Sequence, residues 1–372
     1  MSANSTTNRQ KTNSASFFLR PAIKNLAYYI SGHGYGHYAR SIPVLKQLVS
    51  HFNVHIKSEI EAPLFAPYLD VEHSLQAIDT GCRHSGSLQV DAAETFKSFK
   101  DFQNNLPLEA EKNWLKNNQI ALVISDVASM PIKAAHDLGI PSVLIGNFTW
   151  HDIYSHLPGA EEHQDLLQTL KEEIACADLH ILPQCHLPQP QARKTQEVGF
   201  IAQKGHDIRK ELEQDLNTSF ADKTLVFIYL GEYGIHSVLW ENLAQHTDCL
   251  YLTRDAIDTP VPNLHVLDSR FEFSHLIASV DVVCTKGGYS TIGSAFACHK
   301  PVITCERKDF YEFKAIREYL QTTETGVLIT EEDFYPGDWQ TAIKTAQGLT
   351  VKGRVPLNGE VEILAAVQQI LS

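Results

Sequence analysis

Residues 29–40 read Tyr29-Ile30-Ser31-Gly32-His33-Gly34-Tyr35-Gly36-His37-Tyr38-Ala39-Arg40. Upstream, residues 26–30 form an apolar run with the length of a buried strand. Downstream, Ala39, Ile42, Leu45, Leu48 and Val49 recur at helical spacing. The stretch is therefore a strand, a glycine turn (Gly32, Gly34, Gly36) and a helix. Glycines there permit positive φ and close approach of the backbone to a ligand or another domain. The helix behind the turn offers free N–H groups and a positive dipole end. If it begins near Arg40, Pro43 falls in its first turn, where a missing N–H costs nothing. The glycines lack GxGxxG spacing, and no Gly-Lys-Ser/Thr follows, so neither common phosphate fingerprint applies. His33 and His37 have a zinc-compatible spacing, but the glycines between them disfavour a helix. No Glu follows His33, and no metal site is expected.

The same alternation continues outward. Strands are expected at 52–56, 121–124, 141–145, 179–182 and 198–201, with helices at 91–117, after 126 as far as Gly139, and at 161–176. Residues 202–223 are polar, with one helical stretch at 208–216, and the domain junction falls there. Strands then recur at 225–230, 250–252, 264–267, 280–284 and 301–305, with helices at 236–244, 271–278, up to 298, 311–320 and 361–371. A second turn, Thr285-Lys286-Gly287-Gly288-Tyr289-Ser290-Thr291, again joins a strand to a helix. Its glycines clear space, Ser290 and Thr291 add hydroxyls at a helix start, and Lys286 adds a charge, a recipe for a diphosphate site. Such a turn also occurs without any ligand. Strands alternating with helices predict an α/β protein: two mainly parallel sheets with helices on both faces. The division is a disordered tail at 1–24 and Rossmann-like domains at 25–201 and 202–372, the final helix being a candidate to pack back on the first domain. A length of 372 residues suits two cores, since single cores seldom exceed about 250–300 residues.

These residues resemble a known group. The first stretch is similar to the GHGxGHxxR opening of the glycosyltransferase-like region that precedes the sugar kinase domain in plant arabinose kinases. More distantly, it resembles the opening of MurG-type and UDP-glycosyltransferase enzymes. Residues 285–312 resemble the same group's GGYxTxxEA…PxVxxxRxDFxE region. The resemblance implies the GT-B fold of two facing Rossmann-like domains, a nucleotide-sugar donor (a UDP-sugar first) on the C-terminal domain, and an acceptor on the N-terminal one. It implies that His37 is the catalytic base and that Asp126 orients it. Gly287, Gly288, Ser290 and Thr291 match the donor-phosphate loop, while Asp309 and Glu312 fall where donor-sugar hydroxyls are read. Ser294 departs from the pattern: relatives carry a ribose-binding Glu there, and a neutral hydroxyl cannot accept two strong hydrogen bonds as a carboxylate does.

The chemistry agrees with the carry-over. A histidine suits removal of an acceptor proton, and a carboxylate fixes its tautomer. The alternatives are a helix-start residue packed on the turn for His37 and a helix cap for Asp126. Helix N–H groups, Lys286 and Arg254 would hold a diphosphate without a metal or cofactor, and no DxD motif occurs. The expectation is an inverting, metal-independent transferase. Alternatives are a nucleotide-sugar epimerase or hydrolase, or an inactive nucleotide-sugar-binding protein. No second, kinase-type phosphate loop occurs, so kinase activity is not expected. A net charge of −13 argues against a nucleic-acid partner. No apolar stretch approaches the ~20 residues of a membrane span. Arg9, Lys11, Arg20 and Lys24 are sparse, leaving peripheral contact with an anionic membrane surface as an alternative. Seven cysteines without a CxxC pair predict reduced thiols and a cytoplasmic location. The acceptor and the oligomeric state are not encoded in any recognisable motif.

Overall fold

A computed structural model describes residues 23–84, 90–231, 235–307 and 310–372. The expected tail, apart from its last two residues, and Asp309 lie outside them. The first half of the chain runs β1 (Asn25–Ile30), α1 (Tyr35–Leu48), β2 (Asn53–Ser58), α2 (Ala62–Phe65) and β3 (Glu72–Leu75). It continues through α3 (Ala92–Asn104), α4 (Leu108–Asn117), β4 (Ile120–Asp126), α5 (Met130–Leu138) and β5 (Ser142–Ile145). Then come α6 (Trp150–Tyr154), α7 (Gln164–Ile174), β6 (Leu179–Pro183) and β7 (Thr195–Val198). These seven strands form one sheet in the order β3-β2-β1-β4-β5-β6-β7, every pair parallel. Ile42, Leu45 and Leu48 of α1 cover one face, and Leu115, Ile132 and Leu170 of α4, α5 and α7 cover the other. Covered on both faces, the central strands read as continuous apolar runs.

The second half runs α8 (Arg209–Leu216), β8 (Thr224–Tyr229), β9 (Cys249–Thr253), β10 (Leu264–Val266), α9 (Phe273–Ala278) and β11 (Val282–Thr285). It ends with α10 (Tyr289–Ala297), β12 (Val302–Cys305), α11 (Phe313–Thr323), β13 (Gly326–Ile329), α12 (Glu331–Phe334), α13 (Gln340–Gln347) and α14 (Gly359–Leu371). Its sheet has six parallel strands in the order β10-β9-β8-β11-β12-β13. The last helix leaves this half: Ile363, Ala366 and Val367 of α14 join the core beneath α1, and Glu362 accepts the Gly199 N–H at 2.7 Å.

Several elements differ from the expectation. Helix α1 starts at Tyr35, so Pro43 lies inside it and removes one ladder hydrogen bond. Burial of its apolar face outweighs that cost, as tertiary packing usually does. The helix expected over 91–117 breaks at Pro107, which caps α4. The one expected over 236–244 is two short 3-10 turns, 235–237 and 240–245. Among the described residues no helix is long and apolar enough to cross a membrane.

Candidate active site

Both strand orders reverse beside the first strand of their half, between β1 and β4 and between β8 and β11. Ligand sites in open α/β sheets sit at the carboxyl ends of strands at such reversals. There Ile30 pairs in register with Asp126, and Tyr229 with Thr285. The two glycine turns leave β1 and β11 at these points, and they touch: Ser290 Oγ donates to the Gly36 carbonyl at 2.7 Å.

His37 and Asp126 meet, Nδ1 to Oδ1 at 2.7 Å, both buried. Arg40, one turn further along α1, completes the cluster. Its Nε–H donates to Asp126 Oδ2 at 2.7 Å and its Nη2–H to Oδ1 at 2.5 Å. Burial by itself would raise the Asp126 carboxyl. The Arg40 charge and hydrogen bonds, then those of His37, more than offset it and hold the group at about 2. An ionised Asp126 has no proton to give, so the His37 Nδ1 carries one and donates it. That leaves Nε2 with a free lone pair, the tautomer a base requires. Arg40 Nη2 also stands 3.0 Å from Nδ1, and its second N–H could reach a bare Nδ1, but that tautomer would set the Nδ1 lone pair against the Asp126 carboxylate at 2.7 Å.

The network reaches from the first half of the chain to the second. Arg40 Nη1 donates to Asn147 Oδ1, and Asn147 Nδ2 donates to Glu312 Oε1 at 2.6 Å. Asn147 is wholly buried and Glu312 nearly so. Around it Phe148 meets Phe310 edge-on at 5.9 Å, His156 stacks on Tyr311 at 3.4 Å, and Arg40 lies 5.6 Å from the Tyr289 ring centre. Glu312, one of the two residues expected to read donor-sugar hydroxyls, is thus tied to the first half of the chain through one carboxylate oxygen.

The glycines have distinct tasks. A Cβ on Gly32 would stand 2.9 Å from Glu59, and Gly34 has φ +72 just before α1. Gly287 combines φ +84 with a Cβ position 2.4 Å from the Phe313 ring, so packing forbids any side chain there. Gly288 has nothing within 4 Å of its Cβ position, open space at the N-terminus of α10. Thr291 is buried in the first turn of that helix. Lys286 lies beside Gly231. Burial, then the Arg307 charge, push its ammonium down, while Asp255 and Glu312 pull the other way. Asp255 also accepts the Leu230 N–H at 2.6 Å and the Gly231 N–H at 3.1 Å. Arg254 follows β9 near Tyr229 and Tyr68, and no described contact joins it to the loop. Arg40 and Asn147 are the functional candidates that sequence reading passed over. Arg40 stands three residues after His37 on one helix face, and Asn147 is a polar residue directly past β5.

Solved structures with the same two-sheet arrangement are glycosyltransferases. UGT2 of Phytolacca americana, in complex with UDP-2-fluoro-glucose and pterostilbene, superposes with a TM-score of 0.61 over 94% of each chain at 14% identity. SnogD from Streptomyces nogalater matches at 0.60 and 14% identity, over 94% of this chain and 100% of that one. MurG of Acinetobacter baumannii matches at 0.58 and 14% identity, over 93% and 99%. The chain has the GT-B fold. GT-B superposition spans both sheets, and so both glycine turns. In sequence, the chain is 25% identical over 355 residues to L-arabinokinase of Arabidopsis thaliana, which covers 92% of this chain and 34% of that protein. The chain therefore spans about a third of that relative's length. No family model matches it.

Proposed function

We propose that the chain is an inverting, metal-independent glycosyltransferase that moves a sugar from a nucleoside diphosphate, UDP first, to an acceptor hydroxyl. As the acceptor oxygen attacks the anomeric carbon, His37 Nε2 takes its proton. Asp126 and Arg40 hold the imidazole. The bond from that carbon to the diphosphate breaks, and the electron pair leaves with the diphosphate. Its charge falls on the N–H groups at the start of α10 and on Lys286, so turnover is expected to survive chelation. Direct displacement inverts the anomeric carbon. The observation that carries this reading is that His37, with its Nδ1 engaged by Asp126, directly follows Gly36, whose carbonyl accepts from Ser290 of the turn that the open Gly288 begins. The seven cysteines, all thiols, fit a reducing cytoplasm.

A screen of UDP-, GDP-, CDP- and dTDP-sugars by thermal shift, with and without EDTA, tests the donor. Saturation at about 100 times the dissociation constant stabilises by about 2.7 kcal/mol. A metal-independent rise with one nucleotide class is expected, and no rise with any of them would remove the donor site. One observation favours a second reading, a nucleotide-sugar-binding protein without turnover. Ser294, nearly buried on α10, supplies no carboxylate for a ribose. Donor binding without acceptor-dependent nucleotide release would select it.

A further inference from the structure

A second carboxylate shares a tryptophan neighbour with His37. Asp79 follows β3 and is half-buried. Ser31 Oγ donates to its Oδ1 at 3.0 Å and Trp150 Nε1 to its Oδ2 at 2.9 Å. The same indole borders both glycine-turn histidines: its ring centre is 5.1 Å from that of His33 and 6.0 Å from that of His37. Trp150 thus fixes Asp79 beside the base. A carboxylate offers about four acceptor positions; two are taken here by neutral donors. Among the described residues no cation pairs with Asp79. We infer that Asp79 is the recognition carboxylate of the acceptor subsite, and that the acceptor is a neutral polyhydroxylated molecule, a sugar or cyclitol, whose neighbouring hydroxyls donate to Asp79 while one of them meets His37 Nε2. This rests on the glycosyl-transfer reading.

Two other acceptor classes fit less well. A flat apolar aglycone would strip water from the carboxylate and return no hydrogen bond, which is costly for a charged group. An ammonium acceptor would meet cations. Burial, then the charges of His37, His84, Lys286 and Arg307, hold His33 down at about 3, so the surroundings of His33 disfavour a further positive group. Burial raises the Asp79 carboxyl, against the Trp150 and Ser31 hydrogen bonds and the His37 charge, and Glu59 pushes the same way as burial. Donors from a neutral hydroxyl ligand relieve that cost without importing another cation.

The test is saturation-transfer NMR on the full chain without donor, using myo-inositol and methyl glucoside against para-cresol and cyclohexylammonium. Signal is expected for the two polyols, and Asp79→Asn, which keeps shape but not charge, should weaken them about tenfold or more. Ser31→Ala, which leaves the charge but removes one holder, should weaken them less, and it serves if the first variant folds poorly. Silent polyols, preference for the phenol or the ammonium, or polyol binding unchanged in Asp79→Asn would each overturn the proposal. Because no turnover is involved, polyol binding that depends on Asp79 in a chain that never releases nucleotide would sink the transfer reading and leave this subsite standing.

Discussion

Arg40→Met would keep most of the side chain's length and delete the guanidinium that holds Asp126. Both groups are buried, 3% and 0% exposed, and joined at 2.7 and 2.5 Å. Removing one partner of a buried pair leaves an uncompensated charge, with a typical cost of about 3–5 kcal/mol. Here His37 and the Ser41 hydroxyl, 3.3 Å from Oδ2, remain to hold the carboxylate, which places the expectation toward the lower end, about 3 kcal/mol. Asn147 would also lose the donor to its Oδ1. Urea unfolding of the parent, Arg40→Met, Asp126→Leu and the double variant measures the coupling directly. The double variant should recover much of the loss, since replacing a whole buried pair with apolar groups is often nearly neutral, giving a coupling above about 2 kcal/mol. Additive single losses, or an Arg40→Met loss below about 1 kcal/mol, would refute the claim that Asp126 depends on Arg40.

The two glycines of the second turn should separate by assay: Gly287→Ala is expected to lose thermal stability, having both positive φ and a Phe313 clash, while Gly288→Asp should fold normally and lose nucleotide-diphosphate binding in calorimetry. A Gly288→Asp chain that binds as well as the parent would put the donor elsewhere. Stability should also fall on acidification because of His180. It is wholly buried with both ring nitrogens unpartnered, and burial, then His186, push it down to about 3. Between pH 6.5 and that value the unfolded chain takes a proton the folded chain refuses, so stability drops by about 1.4 kcal/mol per pH unit. His180→Leu should flatten that slope in pH-dependent denaturant melts, and an unchanged slope would contradict the assignment.

Local signals carried most of the architecture. The apolar runs ending at Ile30, Asp126 and Thr285 mark central strands because such strands are covered on both faces. Edge strands lack that mark: Glu72-His73-Ser74-Leu75 is mostly exposed, so β3 was invisible. Gly139 stops α5 in the left-handed conformation, as its position in the sequence implies. Pro43 argues for a later start of α1, and only burial against the sheet and α14 lets the helix begin at Tyr35. At the site, the resemblance to UDP-glycosyltransferases names His37 and Asp126, and their places after β1 and at the end of β4 put them on one edge of the sheet. Their shared dependence on Arg40, the reach of Asn147 to Glu312 and the clasp of Trp150 on Asp79 join residues 71 to 165 positions apart, and no spacing encodes such contacts.

The most direct test of the central claim is acceptor-dependent release of nucleoside diphosphate by the parent and by His37→Ala, with donor affinity measured in parallel. The account predicts a loss of about two or more orders of magnitude in turnover with donor affinity little changed, because Nε2 acts on the acceptor proton and not on the nucleotide. Near-parental turnover in His37→Ala with donor binding intact would contradict it.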